Sequence, residues 1–234
     1  MCAAELPRIG ELRAYSIALA SPDAYFQPGD TKFSDPAKRR FFADTEADLH
    51  SLDAEAWAAL KAEALPRITA NAPGRGHAEL FAILNQARAY NHLTAIGCAG
   101  VRFVPGSNGK TPDLAATLGN VAVLCEVKTI NVSEREVERR QSGGVGTSQG
   151  RVEPGFLAKL RSDIGRASTQ MSAFDPDPAA RRIVYVVVNF DDLLHEYGPE
   201  CRAHIEAELA ASPPAGVEVV LDIKPPFYWA TRAA

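Results

Sequence analysis

The sequence predicts an α/β domain with a mixed sheet flanked by helices, preceded by a helical extension. Three observations predict it. A helical period is followed by three short strand patterns from residue 101. An almost continuous β-branched run, "RRIVYVVVNF" (181–190), reads as a buried central strand. Amphipathic helical stretches separate that run from the strands on either side of it, as layered α/β domains require.

The 234 residues are 46% hydrophobic and 23% charged, an ordinary globular composition long enough for one sizeable core plus an extension. No apolar run approaches the roughly 18 residues of a membrane span, so no membrane association is expected. Residues 1–20 intersperse Glu5, Arg8, Glu11 and Arg13 among apolar residues. That pattern lacks the apolar stretch of a secretory signal, and a cytoplasmic address is the expectation. Cys2, Cys98, Cys125 and Cys201 form no CxxC pair and read as reduced thiols. The net charge of −4 excludes a wholly basic nucleic-acid binder. Residues 101–170 nevertheless hold ten Lys/Arg against seven Asp/Glu, a local +3.

Residues 1–72 read as the helical extension. Leu49, Leu52, Ala56 and Leu60 recur at helical spacing, with Asp53 and Glu55 near a helix start. Residues 73–234 read as the main domain. "HAELFAILNQARAYNHL" (77–93) is its first helix, with Leu80, Ile83, Leu84 and Ala87 as the apolar stripe. "VRFV" (101–104) is a strand. The Gly/Ser-rich, charged stretch at 131–155 reads as a mobile loop, a candidate lid over a charged substrate. "FLAKLRSDIGRASTQMSAF" (156–174) is an amphipathic helix; Lys159, Asp163, Arg166 and Gln170 run beside its apolar stripe. A helix near 199–211 and a strand at 217–223 complete the order.

The segment 104–129 carries the chemistry. "PGSNGKT" suggests a phosphate-binding loop, but that loop needs G-x-x-x-x-G-K-[ST] opening a helix. Val104 stands where the first glycine should be, and Pro112 with a β-type pattern follows. The segment is better read as a turn and a hairpin, with Gly119-Asn120 as a two-residue loop. Counting back from that loop pairs Leu118 with Val121, Leu114 with Cys125, and Asp113 with Glu126. Opposed residues share a face, and so do residues two apart. Asp113, Glu126 and Lys128 therefore gather at the end of the hairpin distant from its turn. Two facing carboxylates repel unless a cation intervenes, and a hard divalent ion takes such oxygens together with water and phosphate oxygens. Lys128 beside them can position a water or stabilise developing charge.

Pro112-Asp113 and Glu126-Val127-Lys128, in an order of helix, three strands, helix and strand, resemble the PD-(D/E)XK nuclease superfamily. The resemblance covers about half the chain. It implies a restriction-endonuclease-like core and a Mg²⁺-dependent nuclease in which Mn²⁺ can substitute. Asp113 and Glu126 would ligate the metal with the backbone carbonyl of Val127, and Lys128 would orient the attacking water. It implies a further acidic residue, Glu79, on the first core helix as an additional ligand. Lys110, Lys159, Arg166 and Gln170 are the candidate nucleic-acid contacts. DNA is expected before RNA and endonucleolytic cutting before exonucleolytic; a homodimer or a protein partner is compatible with the pattern. The competing readings are a catalytically inactive nucleic-acid or protein-binding module on the same fold, and a phosphohydrolase acting on small nucleotides.

Overall fold

The computed structural model describes residues 6–29, 36–72, 76–106, 111–130, 138, 142, 151–189 and 197–224. Most of the 131–155 stretch expected as a loop, and Lys110, lie outside these residues. The chain divides into two compact units, one running to Asn91 and the other from His92 to Pro226. The helix read at 77–93 spans that division.

The first unit contains α1 (Pro7–Ala18), α2 (Pro36–His50), α3 (Ala54–Ala64) and α4 (Ala78–Leu84). The apolar period at 49–60 is not one helix. Leu49 lies in the last turn of α2, Leu52 lies in the connection, and Ala56 and Leu60 belong to α3, yet all four are buried. Asp53 breaks the run by capping α3: its side chain accepts the Ala56 N–H at 2.8 Å. The first turn of α1 has no local cap. Glu46 of α2 supplies one from a distance, accepting the N–H groups of Arg8 and Ile9 at 3.1 and 2.8 Å. An aromatic group of Tyr25, Phe26, Phe41, Phe42 and Phe81 packs edge-on and tilted in this unit's core.

The single helix expected at 77–93 is two helices. α4 ends at Leu84, and α5 (Gln86–Ala95) begins after a turn at Asn85. Asn85 is buried, and Arg88 N–H bonds its carbonyl at 3.0 Å, the tighter spacing of a turn.

The second unit is built on a five-stranded mixed sheet in the order β1 (Ala99–Phe103), β2 (Leu114–Leu118), β3 (Val121–Ile130), β4 (Arg181–Asn189), β5 (Glu218–Lys224). The first two pairings are antiparallel and the last two parallel. The parallel pairings follow from the connections: α6 (Pro154–Phe174) lies between β3 and β4, and α7 (Gly198–Ala211) between β4 and β5. Leu124, Ile130, Val184, Val186 and Val188 of one sheet face pack with Leu160, Ile164, Ala167 and Met171 of α6, and with Cys201 and Ile205 of α7. On the other face Val123, Cys125, Ile183, Tyr185 and Val187 are buried too. This two-sided burial explains why β4 reads as an unbroken apolar run. The architecture is α/β, a mixed sheet flanked by helices.

Candidate functional site

The site is organised by the β2–β3 hairpin. Gly119 takes φ 59°, which the two-residue turn needs and glycine adopts freely. The register is the expected one for five pairs, from Leu118↔Val121 to Leu114↔Cys125. It then stops. The residue due opposite Val127 is Pro112, which has no N–H to give to a ladder. Asp113 keeps its backbone on the β1 side, its carbonyl accepting the Val104 N–H at 2.9 Å. Its carboxylate turns toward β3 and accepts the Val127 N–H at 2.7 Å. A side chain thus replaces the backbone bond where the ladder ends.

Glu126 lies on the sheet face that α6 covers, with Leu124 and Ile130. It is only 4% exposed. Its Oε1 accepts from Lys128 Nζ at 2.7 Å, and its Oε2 accepts from Gln170 Nε2 at 2.8 Å. Gln170 also donates to the Thr111 carbonyl at 2.6 Å. One amide on α6 therefore joins the segment just before Asp113 to the Glu126 carboxylate. Asp113 and Glu126 flank Cys125 electrostatically. Burial first, and then these two negative charges, hold the Cys125 thiol well above its ordinary 9.0.

No family model, no curated protein and no solved structure matches the chain. The site must therefore be read from its own geometry.

Asp113, Glu126, Val127, Lys128 and Gln170 come together in the second unit through the hydrogen bonds above. Gln170, read from the sequence as a candidate nucleic-acid contact, donates to Glu126 and to the Thr111 carbonyl. Lys159 and Arg166 are largely exposed, and both bond Asp163 (Lys159 Nζ at 2.8 Å from Oδ2, Arg166 on Oδ1). Glu79 belongs to the first unit, where it is exposed and accepts from Arg67 at 3.0 Å.

Among the described residues, no three His, Cys, Asp or Glu side chains form a metal-holding group. The available donors are two carboxylates and a backbone carbonyl. All are hard oxygens, the chemistry Mg²⁺ and Mn²⁺ select, and Mg²⁺ ordinarily keeps several waters or phosphate oxygens beside one or two carboxylates. The donor types fit such an ion. Sequence reasoning missed the Thr111 carbonyl as an anchor and the burial of Asp163; neither leaves a periodic signal.

Proposed function

We propose that this chain is a divalent-metal-dependent nuclease with a restriction-endonuclease-like core, hydrolysing phosphodiester bonds, with DNA as substrate and internal cutting as its mode. The observation that carries the reading is the joining of Asp113, Glu126 and Lys128 where the β2–β3 ladder ends. Asp113, Glu126 and the Val127 carbonyl would hold Mg²⁺ or Mn²⁺. A bound divalent ion there would supply charge neutralisation at the phosphate and acidify a water. Lys128, anchored on Glu126, carries further N–H groups able to orient that water and stabilise charge building on the phosphate oxygens. Gln170 fixes the Glu126 rotamer and so keeps the carboxylate aimed. In the reaction the water oxygen bonds to phosphorus, the opposite P–O ester bond breaks, and the leaving oxygen acquires a proton.

The test is cleavage of plasmid, linear duplex, single-stranded DNA and RNA, with free nucleotides alongside, in Mg²⁺, Mn²⁺ or chelator. Metal-dependent cutting lost in folded Asp113→Ala and Lys128→Ala supports the reading. Cutting retained by Asp113→Ala sinks the assignment. Nicked plasmid marks an endonuclease.

One observation favours a second reading, a binding module without turnover. Both Glu126 oxygens and the Asp113 carboxylate already have hydrogen-bond donors inside the protein. That reading predicts nucleic-acid binding indifferent to chelator and no hydrolysis of any substrate.

A further inference from the structure

Helix α6 carries a polar edge as well as its buried stripe. At about 100° per residue, Lys159, Asp163, Arg166 and Gln170 fall within roughly 60° of one another around the helix. Leu160, Ile164, Ala167 and Met171 fall on the adjoining, buried sector. Asp163 is the unusual member. Its side chain is 7% exposed, whereas those of Lys159 and Arg166 are 56% and 70% exposed. A carboxylate is expensive to bury without partners, and this one has a cation on each oxygen. The group of three keeps a net +1. It holds two otherwise flexible cationic side chains from an anchored point, while leaving most of their surface open. The edge ends at Gln170, which touches Glu126. By helical rise, Arg166 stands about 6 Å and Lys159 about 17 Å along the axis from Gln170.

We propose that Lys159 and Arg166, anchored by the buried Asp163 carboxylate, form a preorganised clamp for backbone phosphates of a DNA strand leading from the Glu126 site along α6. The inference rests on the nuclease reading for what lies at the Gln170 end. The clamp itself needs only DNA binding. Asp163 is a positioning residue, acting through the two cations. At about 3.4 Å per phosphate along a duplex axis, the clamp reaches on the order of two to five phosphates, on one side of the cut only. The Asp163 role makes a prediction opposite in sign to simple charge counting. Asp163→Asn removes a negative charge, which by itself would tighten DNA binding; loss of the anchor loosens it.

The experiment is equilibrium binding of a labelled DNA oligonucleotide, single-stranded and duplex, in chelator across a salt series. It uses the full chain, Asp163→Asn, and the exposed double variant Lys159→Gln/Arg166→Gln. Circular dichroism and thermal melting check folding. The double variant should bind about tenfold more weakly, and its log–log salt slope should shrink by about 1.4 on single strands or about 1.8 on duplex, the loss of two phosphate contacts. Asp163→Asn should bind more weakly than wild type. An unchanged slope in the double variant overturns the clamp, as does absence of DNA binding by wild type. Tighter binding by folded Asp163→Asn overturns its positioning role. Should Asp163→Asn not fold, the double variant decides alone. Cleavage by wild type in Mg²⁺ separates the two ideas: cutting with an unchanged slope keeps the nuclease and removes the clamp, while a reduced slope without cutting keeps the clamp and removes the nuclease.

Discussion

Gln170→Ala tests whether a single amide holds the site together. The substitution removes two hydrogen bonds, from Gln170 Nε2 to the Thr111 carbonyl at 2.6 Å and to Glu126 Oε2 at 2.8 Å. A neutral bond contributes about 0.5–1.5 kcal/mol and one to a charged group about 1.5–3 kcal/mol. Thr111 is only half-buried, so water can replace its donor, and Glu126 keeps Lys128 on Oε1. The expected loss is therefore about 2–3 kcal/mol, or about 4–12 °C in melting temperature for a chain of this size. Chemical denaturation and thermal melting of the intact protein at neutral pH measure it. Gln170→Glu sharpens the argument. At neutral pH it sets a second carboxylate against Glu126 and should cost more than the alanine. A Gln170→Ala protein within about 0.5 kcal/mol of wild type, or a Gln170→Glu protein as stable as wild type at neutral pH, would refute the reasoning.

Two further outcomes concern the opposite face of the sheet. Tyr185, buried, donates to Asp222 Oδ2 at 2.8 Å; Tyr185→Phe should lose about 1–2 kcal/mol in denaturant unfolding. His92 packs its ring 5.5 Å from that of Tyr185, and burial, ahead of neighbouring charges, pushes its imidazole below the ordinary 6.5. The folded protein thus resists protonating it, while the unfolded chain takes up a proton as pH falls through 6.5. Its contribution is present above that pH and is lost on acidification, so stability measured from about pH 7.5 to 5 should fall more steeply in wild type than in His92→Phe.

The hairpin was legible because its turn chemistry is local. Gly119-Asn120 fixed a register in which each later pair follows by counting, and five pairs stand as counted. What counting could not supply was where the ladder stops. That depends on a missing N–H at Pro112 and on a carboxylate at Asp113 that takes over Val127. The apolar period at 49–60 misled for a related reason. Residues from two helices can keep one spacing across a break, and only the Asp53 cap reveals it. The 77–93 helix broke at Asn85, a residue whose buried side chain leaves no mark in an apolar stripe. On α6 the polar edge was visible as a period. Which member of it is buried, and that Gln170 reaches Glu126, depend on how the helix lies against the sheet, which no spacing encodes.

The tight turn at the tip of the hairpin also makes the protein easy to instrument. Asn120 is exposed, and it lies six residues from Glu126 along an extended strand, roughly 20 Å away. Cys98, Cys125 and Cys201 are all buried. A single thiol introduced by Asn120→Cys would therefore accept a fluorophore or surface tether selectively among the described cysteines. The label would sit on a rigid stalk whose other end is the acidic cluster, a fixed ruler from which the approach of a labelled polymer could be timed one molecule at a time.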